Sequence, residues 1–338
     1  MERLERMIAD VERGFAALEE GRIDDAESAL ERARRVDRKH ADVIQLAAAV
    51  ADANGDAEDA MEQYQALKVL RPDDPMPRIC IARLELREFG DPDAALDTLA
   101  EAFDFIDEEE DLIEGIFLKT EALIAREDLP AARETLAELA TSAIDDPELA
   151  LDAAELAISA EDAPTAIKWL DIAKQADPDC LADVTHALGR VYEMTGDREK
   201  MIAAWQEVRK LDLAGPKPEL SISDDEIEKI TVGTLEELPE NIRELLAKVP
   251  ILVDGVPSVD IVADGFDPRS LGFFQGTPMP EEGNAQPSVT TILLFKTNLE
   301  RYAQDAEHLA EEIRITVLHE TAHYFGLDDD DLEELGLG

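Results

Sequence analysis

"LGRVYEMTGDREKMIAAWQEV", residues 188–208, decides how the first two thirds of the chain is built. Gly196 and Asp197 form a turn between two amphipathic runs, Met201 closes the turn motif, and Trp205 follows four residues later. The same arrangement recurs upstream. GRIDDA ends at Ala26, GDAEDA at Ala60, GDPDAA at Ala95, EDLPAA at Ala132 and EDAPTA at Ala166. The steps between these markers are 34, 35, 37, 34 and 35 residues. Four residues after the marker stand Leu30, Tyr64, Leu99 and, in the last unit, Trp205. Pro72, Pro75 and Pro178 close several units, where a ring without an N–H stops a helix. A fixed period of this length means one supersecondary unit per repeat, each burying its apolar face on its neighbours. The expectation is an α-helical repeat solenoid of about six units over residues 1–212, with the fourth and fifth units the most degenerate.

The period, together with Gly189, Tyr192 and Trp205, resembles the tetratricopeptide repeat, in which helix hairpins of about 34 residues stack side by side. The resemblance implies a concave groove that takes a peptide or a partner protein; a spacer or self-association surface is the alternative use of such an array. Trp169, Trp205 and Tyr64 are expected between hairpins, as core, rather than in the groove.

Charge narrows the partners. The 338 residues hold 32 Lys and Arg against 80 Asp and Glu, a formal net charge of −48. Such a balance repels phosphate backbones and anionic lipid, so neither nucleic acid nor a membrane surface is expected as a partner. The acid is spread along the chain and reads as a strongly solvated surface. Cys80 and Cys180, the only two cysteines, suit free thiols rather than a disulfide framework. The N-terminus has no apolar h-region, and no run of 18 apolar residues occurs, so a soluble cytoplasmic protein is expected.

The repeat pattern stops near Asp212. "LAGPKPELSISDD" follows, with Gly and two prolines, and residues 213–222 read as a linker. Residues 223–338 change texture. "SDDEIEKITVGTLEELPENIRELLAKV" predicts one or two amphipathic helices, interrupted near Gly233 and Pro239. "PILVDG" and "TTILLF" predict short strands, with a further short strand and a long loop between them, and a last helix should run from about Asp305 to Phe325. The expected unit is a small α+β domain.

Its chemistry lies in "VLHETAHYFGLDDDDLEELGLG", residues 317–338. His319 and His323 stand four apart, on one helix face and one turn from each other, so both imidazoles can reach a single ion. Zinc takes nitrogen ligands at about 2.0–2.1 Å and suits this pair. Glu320 lies about 100° round the helix, poorly placed to ligate beside both rings but able to act as general base on a metal-bound water. Gly326 can take φ > 0 and turn the chain back, and three residues later Asp329 arrives where a third ligand is needed, completing H-E-x-x-H-x-x-G-x-x-D. Asp328, Asp330 and Asp331 offer neighbouring registers, and Glu333 or Glu334 could supply a glutamate ligand instead. His308, eleven residues before His319, is about 16 Å away by helix rise and cannot share the ion.

"SLGFFQGTPMPE" (residues 270–281), "TTILLFKTNLERYA" and the H-E-x-x-H string resemble the short bacterial zincin-like, or minimal, metallopeptidases over essentially the whole of residues 224–338. The resemblance implies zinc held by His319, His323 and Asp329, Glu320 as catalytic base, and peptidase chemistry on a peptide or protein substrate. No methionine follows Asp329, and Met279 lies upstream, so the methionine turn of the metzincins is missing. Tyr324 is either an oxyanion donor or a packing residue, and the strand Thr290–Phe295 is a candidate edge for an extended peptide. The resulting expectation is a zinc-dependent peptidase whose repeat array recruits a protein. A repeat scaffold with a structural or inactive metal domain is the alternative; a structural site would close the fourth coordination position and have no need of Glu320.

Overall fold

A computed structural model of the chain describes residues 2–141, 146–246, 249–276 and 290–327. Its contacts divide into two compact units, Met1–Pro178 and Asp179–Gly338. The first unit is built of antiparallel helix hairpins: α1 (Glu2–Glu19) with α2 (Ile23–Asp37), α3 (Ala41–Ala53) with α4 (Ala57–Leu70), α5 (Met76–Arg87) with α6 (Pro92–Phe103), α7 (Glu109–Ala125) with α8 (Leu129–Ala137), and α9 (Pro147–Ser159) with α10 (Ala163–Ala176). A sixth hairpin, α11 (Leu181–Met194) with α12 (Arg198–Ala214), belongs by its contacts to the second unit.

One turn chemistry makes all six hairpins. At the end of each first helix a residue takes the left-handed conformation: Gly21, Gly55, Gly90 and Gly196 at φ 69°, 72°, 62° and 73°, and Glu127 and Glu161 at φ 59° and 54°. The fold demands this whatever the side chain. In the fourth hairpin the amides of Glu127 and Asp128 bond back to the carbonyls of Ile124 and Leu123 at 2.8 and 2.9 Å, the paired bonds of a Schellman end. The next residue is aspartate in five of the six, and its carboxylate caps the second helix: Asp56 accepts from the Asp59 amide, Asp91 from Ala94, Asp128 from Ala131, Asp162 from Thr165 and Asp197 from Lys200. Arg22 holds that place in the first hairpin and makes no side-chain cap.

The turn aims the marker residue inward. Ala26, Ala60, Ala95, Ala132 and Ala166 are fully buried and Met201 nearly so, letting two helices approach closely. One turn on, Leu30, Tyr64, Leu99, Leu136, Leu170 and Trp205 are buried as well. Trp169 and Trp205 lie in the core, and the Trp205 ring covers Gly189, where a Cβ would stand 2.1 Å from its Nε1.

In the second unit, α13 (Asp224–Glu236) opens with a capping box between Ser223 and Glu226 and runs through Gly233 without a break; Pro239 separates it from α14 (Glu240–Leu246). Then come β1 (Ile251–Asp254), α15 (Val259–Ala263), β2 (Gly272–Gln275), β3 (Thr291–Phe295), α16 (Lys296–Tyr302) and α17 (Ala306–Tyr324). The sheet order is β1-β3-β2, with β1 parallel and β2 antiparallel to β3. All five residues of β3 are buried, as a central strand covered on both faces must be, which explains its unbroken apolar run. The expectation that this strand is an edge is therefore corrected: β3 is paired on both sides, and β1 and β2 are the outer strands among the described residues. Ile292 and Leu294 of β3 meet Leu309, Ile313 and Val317, the apolar stripe of α17, in the core of this unit.

Glu127→Gly and Glu161→Gly should each stabilise the first unit by about 0.5–1 kcal/mol, because a side chain in the left-handed region costs about 1–2 kcal/mol and glycine returns part of that as unfolded-chain entropy. Urea denaturation of each variant against wild type measures it; a fall in stability would show that the two glutamate side chains contribute more than their backbone strain removes.

Candidate metal centre

Helix α17 starts at Asp305, whose carboxylate accepts the amides of Glu307 and His308 at 2.9 and 2.8 Å. It ends in another Schellman turn. Gly326 sits at φ 84°, its amide bonds to the His323 carbonyl at 3.0 Å, and the Leu327 amide reaches the Ala322 carbonyl at 3.2 Å. This turn folds the Leu327 carbonyl back onto the ring of His323, 3.0 Å from Nδ1. A carbonyl oxygen only accepts, so Nδ1 is the donor here and Nε2 is the ring nitrogen left to face the cleft. The Nε2 atoms of His323 and His319 face each other at 3.0 Å, with the two rings nearly perpendicular.

That pair fits zinc. A tetrahedral ion at about 2.0–2.1 Å from each nitrogen would hold them about 3.3 Å apart, and imidazole is a donor that zinc favours. Among the described residues the two histidines do not form part of a group of three ligating side chains. Asp329, its neighbours Asp328, Asp330 and Asp331, the alternatives Glu333 and Glu334, and Met279 all lie outside the described residues.

Glu320 is 6 % exposed and sits beside the pair in the wall of a cleft of about 820 Å³. The opposite wall is β2 with the residues leading into it, Ser270, Leu271, Gly272, Phe273 and Phe274. Strand and helix touch at Gly272: a Cβ there would stand 2.6 Å from Thr316 Cγ2 and 2.8 Å from both Cγ and Oε1 of Glu320. The absent side chain is what lets β2 lie against the glutamate. The role of this glycine is not legible in the sequence, because the contact joins residues 48 positions apart. Tyr324 is buried, packed against Phe274 and Phe325 in the domain core, and does not line the cleft. His308 bonds to Glu312 at 3.1 Å, away from the pair.

The segment that delivers β2 is tied down by polar contacts that no motif announced. His186 of α11 bonds both oxygens of Asp267 at 2.8 and 3.0 Å, and the Asp267 carboxylate also accepts the Arg269 amide at 2.7 Å. Burial pushes the Asp267 carboxyl up, but the His186 bond and the Arg269 amide and guanidinium outweigh it, so the group is held below its ordinary value. Arg269 itself is forked onto Asp212 at 2.9 and 3.0 Å and reaches Asp183 at 2.7 Å.

In the first unit, α5, α7 and α9 line a separate cavity of about 550 Å³. Ile113, Phe117 and Leu156 give it an apolar floor. Arg83 pairs with Asp52 and Glu114, and Arg87 with Glu121, so the basic groups at the rim are matched. Asp152 is held above the usual carboxylate range by burial and by Glu148, Glu121, Glu155 and Asp146, all of one sign.

Gly272→Ala should destabilise the second unit by about 1–3 kcal/mol, the cost of overpacking a filled contact; a thermal melt equal to wild type would mean that Glu320 swings clear at no cost. The Asp267 contribution has a defined pH window. A carboxyl whose folded value is depressed stabilises above its unfolded value of about 3.9 and loses that contribution as pH falls through the folded value. The denaturation midpoints of wild type and Asp267→Asn should thus differ at pH 6 and converge towards pH 3; a constant gap would remove the ionised carboxylate as the cause.

With this geometry in place, the comparisons with known proteins divide along the same lines. A zincin-like metallopeptidase family model matches residues 246–338, and a tetratricopeptide-repeat model matches residues 17–84. No curated protein matches the chain. Among solved structures, PilW, a type IV pilus biogenesis factor, aligns with a TM-score of 0.53 at 11% identity, covering 60% of this chain and 92% of PilW. PilF of Pseudomonas aeruginosa aligns with a TM-score of 0.51 at 18% identity, covering 62% of this chain and 94% of PilF. At these identities the likeness is one of fold. Among the described residues no helix is long and apolar enough to cross a membrane. The chain is thus similar to tetratricopeptide repeats over residues 17–84 and to a zincin-like metallopeptidase over residues 246–338, with α17 and its two histidines inside the latter match.

Proposed function

We propose that the protein is a zinc-dependent peptidase and that its repeat array recruits a protein substrate or partner. The observation that carries this reading is the pair of imidazole Nε2 atoms facing each other at 3.0 Å beside the buried carboxylate of Glu320. His319 and His323, with Asp329 as the third ligand by motif spacing, would hold the zinc. Bound there, zinc supplies Lewis acidity, which lowers the pKa of water and polarises a carbonyl.

The chain's own residues do the rest. The Leu327 carbonyl fixes the His323 tautomer and ring. Glu320 accepts a proton from the attacking water and returns it to the leaving amine. A peptide extended along β2 passes over Glu320, because β2 and α17 are in contact at Gly272. The array's role rests on its cavity between α5, α7 and α9. An apolar floor under an acidic rim suits an extended segment that carries Lys or Arg among apolar side chains.

Glu320→Gln should lower hydrolysis of an unstructured peptide by about 10²–10⁴-fold, the usual worth of general-base catalysis, at unchanged zinc content. His319→Ala and His323→Ala should lose the metal, and Asp329→Ala should weaken it far more than Asp328→Ala, Asp330→Ala or Asp331→Ala. Metal analysis and peptide hydrolysis on the same preparations decide the matter. Wild-type rates in Glu320→Gln would refute the mechanism, and zinc-loaded wild type that cleaves nothing would favour the scaffold.

A further inference from the structure

The geometry points to the last helix hairpin, α11–α12, as a working part of the peptidase, with Arg269, clamped by Asp183 and Asp212, as the positioning residue that sets β2 against Glu320. The kinetic half of this inference rests on the peptidase reading; the structural half does not.

Arg269 stands three residues before Gly272, a stretch that spans at most about 10 Å of chain. Its guanidinium makes a two-pronged bond to Asp212 of α12, a side chain only 14% exposed, and a third bond to Asp183 of α11. A forked, partly buried pair of this kind holds position as a single exposed ion pair does not. The backbone is gripped as well. Asn298, a buried residue of α16, donates to the carbonyls of Pro268 and Ser270 on either side of Arg269, at 2.8 and 2.7 Å. Side chain and main chain of Arg269 therefore move together or not at all.

Other contacts tie the same segment to the hairpin, in both directions. Arg198 and Arg209 of α12 donate to the carbonyls of Asp264 and Pro257, and Arg301 of α16 donates back to the carbonyl of Asp212. In a chain with 32 basic residues against 80 acidic ones, four arginines are committed to this one join. The strand that leaves it meets Thr316 and Glu320 with no space for a Cβ. β2 is thus set from one side by α17 and from the other by the hairpin, and the Glu320 carboxylate lies at the meeting point. A shift of about 1 Å at a catalytic group can cost about 10²-fold in rate.

The test compares full-length, zinc-loaded wild type with Arg269→Ala, Arg269→Lys and Asp212→Asn. Each is assayed on a quenched-fluorescent unstructured peptide for kcat and KM, for zinc content, and for amide hydrogen exchange over residues 270–276 and α17. Arg269→Ala should lower kcat by about 10–100-fold with KM changed by less than about threefold. Zinc content and α17 exchange should stay at wild-type levels while β2 exchanges at least about tenfold faster. Arg269→Lys should recover part of the rate, because one charged contact survives where the fork is lost. Asp212→Asn keeps the volume and weakens the clamp, and it stands in should Arg269→Ala fail to fold. Wild-type kcat together with wild-type β2 exchange would overturn the inference. So would loss of zinc and faster α17 exchange in every variant, since that is general loosening. If wild type cleaves nothing, the peptidase reading fails, and the exchange measurements alone decide whether Arg269 positions β2.

Discussion

The contact between β2 and α17 at Gly272 is the constraint around which the second unit is organised. A strand and a helix ordinarily keep a side chain's width between them, and here that width is missing over Thr316 and Glu320. Every element nearby serves the approach. β3, buried along its whole length, is the strand that β2 pairs with among the described residues. The apolar stripe Leu309, Ile313 and Val317 fixes the rotation of α17, so Glu320 faces the strand while His319 and His323 face the cleft. One helix thereby acts as core on one face and carries the histidine pair on another. The buried stripe runs on past the histidines to Tyr324, so the core face and the histidine face lie side by side along the same turns.

One turn device recurs through the molecule. A residue in the left-handed conformation ends a helix, and paired backward bonds satisfy its last carbonyls. In five of the six hairpins the device is followed by an aspartate that caps the next helix, and the chain reverses within a few residues to lay an alanine, or Met201 in the last hairpin, against its partner helix. At Gly326 the same geometry does different work, because it ends no hairpin; it returns the Leu327 carbonyl to the His323 ring and so fixes the tautomer. The two degenerate repeats also follow from this physics. Glu127 and Glu161 carry the left-handed conformation although their side chains oppose it, since the surrounding hairpin determines the turn.

The polar frame around Asp267, Arg269 and Asp212 contrasts with the acidic surface elsewhere. Surface ion pairs on a chain of this charge are individually weak and screened by salt. The frame is partly buried, forked and interlocked with backbone carbonyls, which makes it a fixed joint between the sixth hairpin and the segment that delivers β2. The end of the repeat pattern near Asp212 and the division of the chain into compact units after Pro178 are therefore different things. Periodicity records which segments share an ancestry of shape; contacts record which segments hold one another.

Features of short range were legible in the sequence alone. The 34-to-37-residue period located six hairpins and their buried markers, and four-residue spacing put His319 and His323 on one face with Glu320 beside them. Capping residues and β-branched runs located α13, α14, α17 and the strands of the second unit, but not the short helices α15 and α16. These signals are readable because each is written in neighbours along the chain: a turn, a cap, one helical repeat. Only the tertiary structure decided that Thr291–Phe295 is the central strand, with β1 and β2 on either side of it, since an apolar run looks the same in either place until its partners are known. It alone decided that Tyr324 is core, that Gly272 must lack a side chain, and that Arg269 is held by a hairpin more than fifty residues upstream. The reason is physical: a cleft is made by surfaces far apart in the chain, and nothing local in either surface encodes the distance at which they meet.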